Sequence, residues 1–125
     1  MSEASPAELL DWARRAASDP GGGWGRSWAR VSAFLARTAL ERALRDFWTG
    51  QLAPMGWAPT SVQLLCLPAY LGEPALARDL YGTWAQLSRA CHAHPYELPP
   101  TVDEIGSWVG VVERFAGLGT EEAAP

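Results

Sequence analysis

The residues best placed to do chemistry lie in Ser88-Arg89-Ala90-Cys91-His92-Ala93-His94-Pro95-Tyr96-Glu97. This stretch holds both histidines of the chain, one of its two cysteines, an arginine, a tyrosine and a glutamate, just where Pro95 must interrupt a helix. RNA can be cleaved without a metal when a base activates the ribose 2′-hydroxyl and a cation stabilises the charge on the phosphorane. A histidine suits the acid–base role because its pKa lies near neutral pH. An arginine supplies a permanent, planar positive charge for phosphate oxygens. Arg89 and His94 are therefore candidate catalytic residues. His92, three residues after Arg89, can stand in for His94. On an ideal helix the step from Arg89 to His94 turns about 140°. Pro95 biases its predecessor out of helical backbone, and two copies of the chain could pool their Arg–His pairs. Tyr96 and Glu97 are candidates to contact a phosphate or orient an imidazole. The structural alternative is an ion-paired Arg89 and a His94 that caps the helix and complements its dipole.

Other chemistries are less well served. Cys91, His92, His94 and Glu97 are zinc-compatible residue types, but neighbours on a helix diverge by about 100° and there is no second ligand pair such as CxxC. We assign no metal and no cofactor. Gly21-Gly22-Gly23-Trp24-Gly25 lacks the Lys-Ser/Thr of a phosphate loop and reads as a linker. There is no nucleophile elbow, HExxH or dinucleotide fingerprint. Both cysteines, Cys66 and Cys91, read as reduced core thiols.

The elements that position these residues read as helices. Ser5, Pro6 and Glu8 give a capped start to a helix over about 6–17, with Leu9, Trp12 and Ala16 inward. The longest helix runs from about Trp24 or Ser27 to Thr49, with Gly50 as its cap. Ala29, Ala33, Ala36, Leu40, Ala43, Leu44 and Phe47 form its apolar face. Its other side carries Arg26, Arg30, Arg37, Arg42 and Arg45 against Glu41 and Asp46, a local net charge of +3. Arg37 and Glu41 are the candidates there to guide a phosphate backbone, or else form part of an i,i+4 ion-pair ladder with Arg45. Thr60 and Gln63 suggest a capping box for an almost wholly apolar, deeply buried helix that Pro68 ends. Leu80, Trp84, Leu87 and Cys91 make a seam on a helix from Pro74 towards His94. Thr101 and Glu104 cap a last helix that turns Val102, Ile105, Trp108, Val109, Val112 and Phe115 inward, with Gly106 and Gly110 allowing close helix contact. No stretch shows strand alternation. The expectation is an all-α bundle of four to five helices over 1–118, with 119–125 as a disordered tail.

Arg89, four intervening residues, His94, a loop and a short terminal amphipathic helix together resemble the HEPN superfamily, the higher eukaryotes and prokaryotes nucleotide-binding domains. The stretch Leu35 to Leu44 looks like that family's long second helix, and Thr101 to Phe115 like its last; the likeness covers about 24–117. The resemblance implies a homodimer and a metal-independent endoribonuclease of the toxin or RNA-processing kind, with Arg89 and His94 in a cleft between subunits. Ala90 stands where active members often carry a polar residue. Non-catalytic members act as binding or antitoxin-like modules, so the alternative expectation is a nucleotide-binding or protein-interaction module using the long helix and the tryptophans.

Length and composition fit either reading. At 125 residues the chain is one domain with enough length for a core. Its 48% hydrophobic content excludes a disordered chain, and no apolar run is long enough to span a bilayer. The acidic, polar start is unlike a secretory signal, so a cytoplasmic location is expected. All ten basic residues are Arg and there is no Asn, which suggests a GC-rich bacterial gene. The net charge of −4 argues against broad electrostatic binding of nucleic acid, although RNA, a nucleotide or a cognate antitoxin remain the expected partners. Seven tryptophans are many for this length; Trp24, Trp28 and Trp57 fall in or beside loops, where they pack helix ends or form an interface.

Overall fold

A computed structural model describes residues 3–19, 23–92 and 96–123, with side chains as far as Gly117. Six α-helices and two 3₁₀ turns account for 83% of the described residues, and there is no strand among them. They are α1 (Pro6–Ser18), α2 (Trp28–Gln51), α3 (Thr60–Cys66), α4 (Pro68–Leu71), α5 (Pro74–Cys91) and α6 (Val102–Ala123). Short 3₁₀ turns at Gly25–Ser27 and Ala53–Trp57 bracket α2. None of these helices is long and apolar enough to cross a membrane.

The start signals work locally. Ser5 Oγ accepts from the Glu8 N–H at 3.1 Å, and Pro6 fills the first turn of α1. Thr101 and Glu104 form a full reciprocal box: the Thr101 N–H donates to Glu104 Oε1 at 3.0 Å, and the Glu104 N–H donates to Thr101 Oγ1 at 3.1 Å. The glycine that stops a helix is not the expected one. Gly50 stays helical and α2 runs on to Gln51, whereas Gly72, at φ +71°, ends α4. The helical backbone of α6 continues to Ala123, beyond the Gly119 where the tail was expected to begin.

α2 is the axis of the fold. Its alanine stripe, Ala29, Ala33, Ala36 and Ala39, is buried, and small side chains let α1 lie close against it. At that seam Ser32, fully buried, donates from Oγ to the Ala13 carbonyl at 2.7 Å. Further along, Leu40, Leu44 and Trp48 meet α5 and α6, whose Leu80, Leu87, Ile105, Val109 and Val112 are all fully buried. Trp84 and Trp108 are only half-buried, and Val102 is exposed.

Three packing expectations need correction. α3 is not deeply buried: Leu64 faces the core, but Leu65 is 67% exposed and Val62 is exposed too. Gln63 points inward instead, and its Nε2 donates to the carbonyls of Gly56 (3.3 Å) and Ala58 (2.8 Å), strapping the preceding turn. Thr60 is the first residue of α3 rather than its cap; its hydroxyl donates to Glu41. Gly106 and Gly110 are not close-contact positions, because a Cβ at either would meet nothing within 4 Å. Gly110→Ala and Gly106→Ala should therefore each stabilise the fold by about 0.5–1 kcal/mol, through lower backbone entropy in the unfolded chain. Thermal melts checking this should show a rise of a few degrees, about 2–5 °C, for each.

Candidate groove and the surroundings of Arg89

The basic side of α2 divides its work. Arg42 donates from Nη1 to the Ala4 carbonyl at 2.6 Å, and Arg45 pairs with Glu3 at 2.5 Å, which draws the Glu3 carboxyl below its ordinary range. Both arginines thus fix the N-terminal arm. Arg37 makes the expected i,i+4 contact with Glu41 at 3.4 Å, but Arg45 takes Glu3 rather than completing the ladder. Glu41 Oε2 also accepts from Thr60 Oγ1 at 3.3 Å and from Trp84 Nε1 at 3.4 Å. That carboxylate therefore ties α2 to α3 and α5.

Arg37 and Glu41 line an open groove of about 930 Å³ between the second half of α1, the first half of α2 and the end of α5. Its walls are mainly apolar. Trp12 is 45% exposed, Trp24 55% and Phe34 60%, and all three rings face this one groove. Three large apolar side chains gathered in one concavity, rather than scattered over the surface, make this groove the candidate binding surface. Arg15 and Arg30 complete its basic lining.

The end of α5 contributes Cys91 and His92 to the same groove. Cys91 is a free, half-buried thiol in the groove wall, not a core residue. Burial pushes its pKa up; Arg37 alongside pulls the other way without cancelling the effect. The thiol is therefore protonated at neutral pH. Alkylation of Cys91 by iodoacetamide, followed by mass spectrometry, should stay slow at pH 7–8 and accelerate only above the ordinary thiol range.

Arg89 faces elsewhere. It borders a smaller hollow of about 490 Å³ formed with the Pro-rich loop, Glu104 and Trp108. There its exposed side chain pairs with Glu97 at 4.0 Å. Arg89 and Glu97 are thus brought together, as are Arg37, Glu41 and His92, but the two sets line different hollows. The same division separates Cys91 and His92 from Glu97, three of the four residues weighed for zinc. Tyr96 is 92% exposed. His94 lies outside the described residues. The residues that sequence reasoning missed are Val31, Phe34 and Leu35. They repeat at helical spacing on α2 and form a second apolar stripe beside the alanine one, which was a readable signal.

Among known proteins, no family model, no curated relative and no solved structure matches the chain.

Proposed function

We propose that this chain is a non-catalytic helical interaction module, antitoxin-like or scaffold-like, that binds a protein partner through the groove between α1 and α2. The supporting observation is that Trp12, Trp24 and Phe34 stand exposed in a single mainly apolar groove. Aromatic side chains of this kind supply large contact area for little conformational entropy and dominate protein interfaces. Glu41 and its three donors hold the groove floor in one arrangement. The HEPN-like endoribonuclease reading asks Arg89 and an imidazole to share one phosphate. Arg89 is paired with Glu97 in the smaller hollow and His92 opens onto the groove, so these two do not share a hollow, while His94 lies outside the described residues; the exposed aromatic groove is what supports the binding reading.

Two assays on purified protein test this reading. Total RNA incubated with the chain in excess EDTA should remain intact. Affinity capture from cells that make the protein should retain a partner polypeptide with the wild type and lose it with Phe34→Asp. RNA cleavage that disappears in His94→Ala would replace this reading with the nuclease one.

A further inference from the structure

The two long walls of the groove carry matched stripes. From α1 come Trp12, Arg15 and Ala16, at i, i+3 and i+4, with Asp19 just past its end. From α2 come Val31, Phe34, Leu35 and Thr38, at i, i+3, i+4 and i+7. This is the spacing with which a helix addresses a neighbouring helix, and the α2 stripe covers about two turns, roughly 10 Å of axis. α6 packs against both α1 and α2 elsewhere, and α5 against α2, yet among the described residues no helix lies over these two stripes. The pair forms an unfilled seat in a bundle.

The charges around the seat are also ordered. Arg30 and Arg37 are seven residues apart on α2, two turns along one edge, and Arg15 stands on the α1 side. Asp19 and Glu41 oppose them, and Glu41 is paired with Arg37 and bonded to Thr60 and Trp84. Among the described residues Arg15 pairs with Asp11, in a contact so exposed that a partner carboxylate can exchange into it. The lining is net positive on a chain whose net charge is −4.

Resting on the binding reading above, we infer that the groove seats one amphipathic α-helix of a partner protein, with an apolar ridge at a and d positions and acidic residues on its flanks. The apolar ridge lies between Trp12 and Phe34. The flanking carboxylates lie along a rim where Arg15, Arg30 and Arg37 outnumber Asp19 and Glu41, so the rim's net positive charge favours them as e and g charges do between helices. A second copy of this chain presenting the same groove across a two-fold does not fit, because two concavities cannot fill one another and their arginines would face each other.

A displayed library of helices about five turns long tests this. Apolar residues are fixed at a and d, and each e and g position is randomised between Glu and Lys. Selection on the intact chain should enrich Glu over Lys by about fivefold or more, the factor that two or three exposed ion pairs supply. Arg30→Glu, at an exposed position, should reduce or reverse that preference. Phe34→Asp should abolish enrichment, and Phe34→Ala should weaken it, with circular dichroism confirming that each variant is folded. No enrichment, enrichment of Lys, or enrichment indifferent to Phe34→Asp overturns the inference. Preferential binding of an oligouridine probe at the groove overturns it as well, as does self-association in sedimentation that shifts the Trp12 and Trp24 indole signals. If the library fails while lysate capture still depends on Phe34, the interaction module stands and only its acidic-helix partner is lost; failure of both removes the binding reading.

Discussion

Replacing Trp48 with alanine lowers the thermal midpoint by about 12–20 °C. Trp48 is fully buried near the end of α2, where its ring meets Phe47 edge-on at 5.2 Å and Tyr70 edge-on at 5.0 Å. Phe47 continues the cluster to Phe115 of α6 at 5.7 Å. Removing an indole from such a site sacrifices transfer free energy and leaves a cavity, together about 3–5 kcal/mol. A domain of this size loses about 4 °C per kcal/mol. The indole Nε1 finds no hydrogen-bond partner among the described residues, so packing alone holds the ring. Trp48→Phe should therefore lose much less than Trp48→Ala, because it keeps most of the apolar volume and removes the orphan donor. Melts followed by far-ultraviolet circular dichroism check both variants. A shift below about 5 °C for Trp48→Ala would mean that the end of α2 does not share the core of α5 and α6.

Phe34→Asp has the opposite profile. Its ring is 60% exposed, so folding gains little from it, and the melt should stay within about 2 °C of wild type. Partner capture should fall by about thirtyfold or more, since the ring is the most exposed of the three aromatic groups in the groove and central anchors of this type contribute about 2 kcal/mol or more. Binding measured by titration of the captured polypeptide, beside the melt, separates the two effects. Unchanged binding with a folded variant would remove Phe34 from the interface. Phe34→Ala supplies a second reading if the aspartate disturbs α2.

The local parts of this fold were legible in the sequence. The α1 cap at Ser5, the alanine stripe of α2 and the Thr101–Glu104 box depend on residues within a turn or two of each other, and all three are present. What depended on distant docking was not legible. Arg42 and Arg45 are held by residues 3 and 4, and no local spacing announces a partner so far along the chain. α3 is apolar nearly throughout, but only docking decides that Gln63 turns inward and Leu65 outward. Gly106 and Gly110 have the spacing of a close contact without a neighbour to make it. At the candidate site, closeness in sequence grouped Arg89 with both His92 and Glu97, and of these Glu97 joins it while His92 does not; His94 lies outside the described residues. The turn at the end of α5 sends Arg89 towards one hollow and His92 towards the other. The groove is half legible: Arg37 and Glu41, read from the sequence as candidates to guide a phosphate backbone, both line it, while the Val31, Phe34 and Leu35 stripe is masked by the stronger alanine pattern beside it. An α2 apolar along two stripes already implied contact with more than one neighbour.

The most direct test of the groove as the binding surface is photo-crosslinking in cells that make the protein. A benzoylphenylalanine is placed at position 34, and in a separate variant at position 57, where Trp57 is 91% exposed and does not line the groove. Irradiation should give a discrete, protease-sensitive adduct with another polypeptide from position 34 and none from position 57. A nuclease-sensitive adduct at position 34, or an adduct from position 57 alone, would contradict the account.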